Sequence, residues 1–551
     1  MKIADLIKGG LYQPEFEKEN CGFGMIANLE QTPSHKLLQT SIVALARLSH
    51  RGARSADGLS GDGCGLLFSM PIDFFKAVAD MQGIQLDEGF AVGNIFLSND
   101  PATQLATKSC MAEILAEFDL TMAGWRELPL NHTCLGDLAA ACCPMIEQVF
   151  VNKPLEMPAD EFERLLFVAR KKCERALQHD KAFYVVSLSS KVIGYKGLVV
   201  PEHLSDFYLD LCDDRVKTTL CLFHQRFSTN TLPEWRLAQP FRFLAHNGEI
   251  NTVKGNRNWA NAKNERLCSE KLLPYADSIM PVVSDTDSDS CSLDNVLELL
   301  HLNGMELFRA MRIMIPPAWQ NAENMDPDLK AFYEYHAMHM GAWDGPAGVV
   351  TTDGRYGVCA LDRNGLRPAR WVTTIDGNIT LASEIGVYDY LPEEVLAKGR
   401  LGPGEILVID KDRGRIMDNN YINSLLKSRK PYKKWLQANR SYFQSKLTDD
   451  NAVQNIFDRK MLKCYQKTFG LSYEEQEMVL KHLAQNAMEA TGSMGDDTPM
   501  AVLSQKERSL YDYFRQQFAQ VTNPAIDPIR EKIVMSLKTY IGQLGNIFDE
   551  D

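Results

Sequence analysis

From Cys21 to about Met417 the chain switches repeatedly between two spacings of apolar residues. Downstream of Ser34, Leu38, Ile42, Leu45 and Leu48 recur at helical intervals. They predict a helix running from a Ser34 cap to about Ser49, stopped by Gly52. Val296, Leu299, Leu300, Leu307 and Met311 predict a second amphipathic helix over Asp294–Met311. Between such helices lie β-rich runs. Ala182–Tyr195 reads AFYVVSLSSKVIGY, two runs around a Ser-Ser-Lys turn. Gly348–Leu361 and Trp371–Leu381 each carry an Asp-Gly pair, Asp353-Gly354 and Asp376-Gly377, between β-branched or apolar runs. Two hairpins are predicted there. The mixture implies an α/β or α+β fold with a largely antiparallel sheet covered by helices.

The pattern changes near Asp418. Leu425–Gln454 is polar and charged, as expected of a linker with helical pieces. Leu462–Glu489 reads as helical with a turn at Phe469-Gly470, followed by GSMGDDTPMAVLSQ and YDYFRQQFAQVTNPAIDPIREK. The segments expected are therefore a polar leader over 1–20, a main domain over 21–417, a linker over 418–460 and a further domain over 461–551.

The chain has 551 residues, room for three or four domains at roughly 150 residues each. Hydrophobic residues are 45% and charged residues 24%, which excludes a mainly disordered chain. No run of 18 apolar residues occurs, so no membrane span is expected. The net charge of −13 leaves no broad basic face for nucleic acid. Thirteen cysteines with no Cys-x-x-Cys pair argue against a disulfide framework and for a reducing cytosol, most thiols being buried fillers. Met1–Asn20 has four acidic residues and no apolar core, so it is neither a secretory signal nor a transit peptide.

Five short stretches carry candidate chemistry. CGFG at Cys21 reads as a tight turn or as a nucleophile. Removal of the leader would make Cys21 the first residue. Its new α-amine, with a pKa near roughly 8, would serve as base for its own thiol. In His50-Arg51-Gly52, Arg51 sits at the helix end, either as a surface arginine or as a fork for a carboxylate or carbonyl. CLFHQRFSTN, Cys221–Asn230, places Arg226 for bidentate capture of an α-carboxylate, with Phe227 as a pocket wall and His224 favoured as structural. In Ala245–Ile250, Asn247 and Gly248 either form a turn or supply two donors to an oxyanion. In SDTDSDSCSL, Ser284–Leu293, an aspartate either caps the helix or binds an α-ammonium group.

Other readings fail. Asp285, Asp287 and Asp289 lack the glycine and glutamate of a calcium loop. His336 and His339 lack the other residues of a zinc protease. Gly61–Gly65 is too short for a phosphate loop, and no metal ligand set is expected.

Taken together, these stretches resemble the class II, N-terminal-nucleophile glutamine amidotransferases. The wording CGFGMIA, HRGARSADGLSGDGCG, FHQRFSTNT, FLAHNGEINT, PPAWQN, WDGPAG, LDRNGLRPAR, GSMGDDTP and YDYFRQQFAQVTNPAIDP is similar to the large subunit of the glutamate synthase family, from Cys21 to about Phe548. The resemblance implies an α+β, four-layer αββα sandwich with largely antiparallel sheets, followed by the start of an α/β central domain. It implies Cys21 as nucleophile, Asn247 and Gly248 as oxyanion hole, Arg51 and Arg226 as substrate ligands, and Asp289 rather than Asp287 on the α-ammonium. It implies L-glutamine as substrate, glutamate and ammonia as products, and a cytoplasmic, NADPH-type enzyme. In the complete enzyme, ammonia converts 2-oxoglutarate to glutamate at an FMN domain with a 3Fe-4S cluster. A small subunit there carries FAD, 4Fe-4S clusters and NADPH. No cofactor is expected in the present segment, and a homo-oligomer is left open. The alternative is a truncated, unprocessed remnant that acts only as an interaction module.

Overall fold

The computed structural model describes residues 21–226, 232–284, 287–320, 322–441, 458–487, 490, 503–507, 540–542 and 545–549. Residues 1–20, GSMGDDTP and all of YDYFRQQFAQVTNPAIDP lie outside them. The chain forms two compact units, one of residues 1–438 with 528–551 and one of residues 439–527.

Among the described residues, sixteen strands build three sheets in the first unit. They are β1 (Gly22–Asn28), β2 (Ser60–Ser69), β3 (Phe90–Leu97), β4 (Thr121–Glu127), β5 (Met145–Asn152) and β6 (Tyr184–Ser189). Then come β7 (Val192–Val199), β8 (Leu220–Gln225), β9 (Leu244–Gly248), β10 (Ala347–Thr352) and β11 (Tyr356–Leu361). The last are β12 (Arg370–Thr374), β13 (Asn378–Ala382), β14 (Val395–Arg400), β15 (Ile406–Asp410) and β16 (Arg415–Met417). The sheet orders are β14-β12-β13-β1-β8-β2-β7, β16-β15-β11-β10-β9 and β4-β5-β3-β6. Every strand pair among the described residues is antiparallel.

Period-two alternation stacks the two larger sheets face to face. Phe23, Met25 and Ala27 of β1 and Leu220 and Leu222 of β8 point inward. They meet Ala245, Val350, Cys359, Leu361, Leu407 and Ile409 of the five-stranded sheet. The alternate residues point outward. Ile26, Cys221 and Phe223 pack under the His35–Ala46 helix through Leu38, Ile42 and Leu45. Val349, Val358, Ala360, Ile406 and Val408 pack against helices Asp289–Leu302, Leu307–Met314 and Pro327–His339. The layers thus run helix, sheet, sheet, helix, as expected. Each large apolar side chain buried here contributes about 1.5–3 kcal/mol.

Ser34 caps the first helix through Leu37 N, and Leu48 is buried beside it. Both Asp-Gly hairpins form, with Gly354 at φ 86° and Gly377 at φ 75°. One lies in each of the facing sheets. The Ala182–Tyr195 runs are strands but not a hairpin. β6 pairs with β3 and β7 with β2, so the Ser-Ser-Lys turn carries the chain from one sheet to another. The helix expected over Asp294–Met311 starts at Asp289 and breaks after Leu302, where Gly304 takes φ 101°. It is buried nearly all round rather than amphipathic, because β9 and helices Ala159–Ala176, Val253–Lys263 and Leu307–Met314 all pack on it.

After Met417, helices Asn419–Ser428 and Tyr432–Asn439 bury Ile422, Leu426, Tyr432 and Leu436 in the core under the five-stranded sheet. His336 is buried among the rings of Phe332, Tyr335 and Tyr432. In the second unit, Arg459–Thr468 and Lys481–Asn486 are helical, and Gly470 makes the turn at φ 63°. Met461, Tyr465, Phe469, Tyr473 and Met478 there are exposed. No helix among the described residues is long and apolar enough to cross a membrane.

Candidate active site

The site forms at one end of the sandwich, where β1 starts and β8 and β9 end. Cys21 directly precedes β1, the central strand of the seven-stranded sheet. The antiparallel register aligns Gly22 with Gln225, so Arg226 emerges from β8 beside Cys21. β9 in the facing sheet ends with Asn247 and Gly248. The Asn247 Nδ2 donates to the Cys21 carbonyl at 2.7 Å, linking the two sheets at this point.

Gly248 has φ 138°, outside the range an L side chain adopts readily. A Cβ there would sit 1.7 Å from the Pro346 carbonyl oxygen. Gly345, at φ 151°, makes the reciprocal approach to the Glu249 carbonyl, and Glu249 N–H donates to Pro346 O at 3.0 Å. The WDGPAG stretch thus cradles the turn after Asn247. The Asn-Gly turn is legible in sequence, but the loop that supports it is not.

Arg226 is buried. Its backbone N–H donates to Gly63 O at 2.9 Å and its Nη1 to Asp62 O at 3.4 Å. Burial pushes its pKa down, opposed by the fields of Cys21, Asp62, Asp289 and Glu234. Phe227 lies outside the described residues.

Arg51 ends the short Ser49–Arg51 turn and forms a fork with Glu384, Nε to Oε1 at 2.9 Å and Nη2 to Oε2 at 3.2 Å. His50 Nε2 contacts the same carboxylate at 3.1 Å. Burial alone would raise the Glu384 pKa, but Arg51 and His50 outweigh it and hold the carboxyl below its ordinary value. The preceding Ser383 exchanges hydrogen bonds with Phe23, which ties Glu384 to the Cys21 strand. Nothing in the SEIGVYDY sequence signalled Glu384, 333 residues from Arg51. A Cβ at Gly52 would lie 1.6 Å from Gln225 Nε2, so that side chain would have to move aside.

The two candidate aspartates separate. Ser288 caps the helix through Cys291 N. Asp287 is paired with Arg236 and faces away toward Cys291. Asp289 accepts from Ile250 N at 2.8 Å and Ser290 N at 2.7 Å, with His246 Nδ1 at 4.0 Å. Asp289 is thus the one held against the Asn247–Ile250 turn, and its charge acts on Arg226.

His224 is fully buried, with Nε2 3.2 Å from the His246 carbonyl oxygen. Burial pushes its pKa down to about 3, so it is neutral at pH 7 and serves as packing and a strand tie. Among the described residues, no cluster of three or more His, Cys, Asp or Glu side chains is placed to hold a metal. None of the thirteen cysteines, all among the described residues, forms a disulfide, and seven are buried.

The arrangement is a thiol residue at a strand start, two candidate donors across from it, and cationic and anionic groups on either side. The family model for class-II glutamine amidotransferases matches residues 21–435. The chain belongs to the class-II glutamine amidotransferases. A second family model, the glutamate synthase central domain, matches residues 464–551 of this amidotransferase. Its relatives include a ferredoxin-dependent glutamate synthase of Antithamnion sp., 40% identical over 97% of this chain and 35% of its own. The glutamate synthase [NADPH] large chain of Azospirillum brasilense is 40% identical over 100% of this chain and 36% of its own. The corresponding large chain of Bacillus subtilis is 38% identical over 98% and 35%. The chain therefore spans about a third of the length of the curated relatives it matches. A solved amidotransferase structure from B. subtilis overlaps 72% of this chain at a TM-score of 0.34 and 13% identity, too low to bear on fold or function.

Proposed function

We propose that this amidotransferase hydrolyses L-glutamine to glutamate and ammonia through a thioester on Cys21, once its α-amine is free. The observation that carries the reading is the 2.7 Å hydrogen bond from Asn247 Nδ2 to the Cys21 carbonyl. It holds the oxyanion donors beside the residue that bears the nucleophile. The free α-amine takes the thiol proton, and the thiolate attacks the side-chain amide carbon. The second Asn247 amide hydrogen and the Gly248 N–H hold the tetrahedral oxygen. Collapse expels ammonia with the proton from the α-ammonium. Water, deprotonated by the same amine, then cleaves the thioester and releases glutamate.

Arg226 and Asp289 grip the α-carboxylate and α-ammonium. Arg51, fixed by Glu384, closes the site beside Cys21. In a longer chain with the synthase part, the ammonia converts 2-oxoglutarate to a second glutamate with reductant delivered through FMN and an iron–sulfur cluster. Relatives of the ferredoxin kind are 40–41% identical and those of the NADPH kind 38–40%, so they do not favour the expected NADPH donor or its small subunit. They include chloroplastic enzymes, which leaves the expected cytoplasmic location without support from them.

Ammonia release by the chain starting at Cys21 tests the reading, with Cys21→Ala as control and intact mass to verify the first residue. Glutamine-dependent ammonia from the first and none from the second is expected. Equal rates would refute it.

A further inference from the structure

His246 is fully buried in β9, one residue before Asn247, and the mechanism above gives it no part. Its Nδ1 lies 2.8 Å from Ser290 Oγ, and Nε2 is buried with no hydrogen-bond partner. Ser290 Oγ in turn lies 3.3 Å from Asp289 Oδ1. One proton arrangement serves every short contact. Nδ1–H donates to Ser290 Oγ, and the Ser290 hydroxyl donates to the Asp289 carboxylate. The opposite tautomer would leave a buried N–H unsatisfied, which costs about 1–3 kcal/mol.

The backbone of His246 is held as firmly. Its N–H donates to Gln239 Oε1 at 2.8 Å, and its carbonyl accepts from Gln239 Nε2 at 3.3 Å and lies 3.2 Å from His224 Nε2. A fixed main chain therefore carries both the relay to Asp289 and the following Asn247-Gly248 turn.

We propose that His246 is a positioning residue that aims the Asp289 carboxylate at the α-ammonium of glutamine, through Ser290, from the strand that also presents the oxyanion donors. The inference rests on the assignment of Asp289 above. It makes recognition of the amino-acid end and placement of the oxyanion turn depend on one side chain. Asp289 spends lone pairs on Ile250 N, Ser290 N and the Ser290 hydroxyl, which leaves acceptor capacity on Oδ2 for an ammonium group.

The test compares L-glutamine with its deamino analogue, 5-amino-5-oxopentanoate, by calorimetric titration of the full chain in a Cys21→Ala background, where neither is consumed. His246→Leu keeps the volume and removes the donor. His246→Asn returns a donor at the Nδ1 position. Ser290→Ala removes the relay oxygen without opening a cavity.

With His246→Leu and Ser290→Ala, the glutamine Kd should rise about tenfold, as for one charge-assisted hydrogen bond, and the analogue Kd by less than about threefold. His246→Asn should recover most of the glutamine affinity. Parallel loss for both ligands, no loss, or an Asn variant no better than Leu would overturn the proposal and leave His246 as packing. If the His246-intact chain itself does not prefer glutamine over the analogue, the assignment of Asp289 fails first, and the proposal with it.

Discussion

Gly248→Ala is the sharpest test of how the site is built. The added Cβ would lie 1.7 Å from Pro346 O and 2.7 Å from Pro346 C. Real Cβ contacts essentially never fall below 3.0 Å, so backbone must retreat by about 1.3 Å. The atom in the way is main chain, which cannot swing aside as a flexible side chain would. The retreat displaces either the Gly248 N–H or the Gly345-Pro346 loop beneath it. A misplacement of about 1 Å at a reacting centre costs on the order of a hundredfold in rate. Loss of one oxyanion donor costs about a hundred- to a thousandfold. Ammonia release by Gly248→Ala, measured with a coupled dehydrogenase, should therefore fall by about a hundredfold or more in kcat. The control is Gly83→Ala. Gly83 also has a positive φ, 72°, but nothing lies within 4 Å of its Cβ position. That variant bears only the backbone strain, about 1–2 kcal/mol, and should keep its kcat. A Gly248→Ala rate within tenfold of the unsubstituted chain would refute the reasoning. It would mean that the N–H of this turn does not face the reacting oxygen.

Asp289→Asn should raise the KM for glutamine by about ten- to a hundredfold, as expected for a lost contact to a charged group, while Asp287→Asn leaves KM nearly unchanged. Steady-state kinetics of the pair decides between the two aspartates. Glu384→Gln loosens the Arg51 fork at a partly exposed site, so kcat/KM should fall by about three- to tenfold, carried mainly by KM. His224 has its pKa held down to about 3 from an ordinary 6.5. Between those values the unfolded chain binds the extra proton, so stability is full above about pH 6.5 and declines as pH falls toward 3. His224→Gln should flatten this acid limb in urea midpoints measured against pH. An unchanged slope would show that His224 does not carry it.

The local elements were legible because their causes are local. Ser34 caps the first helix whatever follows, and each Asp-Gly pair turns its own hairpin. The candidate residues were legible too, because Cys21 followed by glycines, Arg226 after an apolar run, and Asn247-Gly248 are short contiguous patterns. Sheet membership was not. β6 and β7 adjoin in sequence but enter different sheets, because their partners β3 and β2 lie about a hundred residues upstream. The start of the Asp289–Leu302 helix was misjudged for a related reason. Burial on all sides hides the one-faced period on which the expectation relied.

By itself, the sequence determined which residues were available for thiol chemistry and where the Ser34-capped helix and the two Asp-Gly hairpins form. Tertiary structure alone decided which of them meet. It paired Arg51 with Glu384 and Asp287 with Arg236, leaving Asp289 on the Ile250 amide. It also set Gly345 under Gly248 and joined Asn247 to Cys21 across two sheets. Each of these contacts spans tens to hundreds of residues. None leaves a local periodicity, because its geometry comes from the register of strands that pair only once the chain has folded.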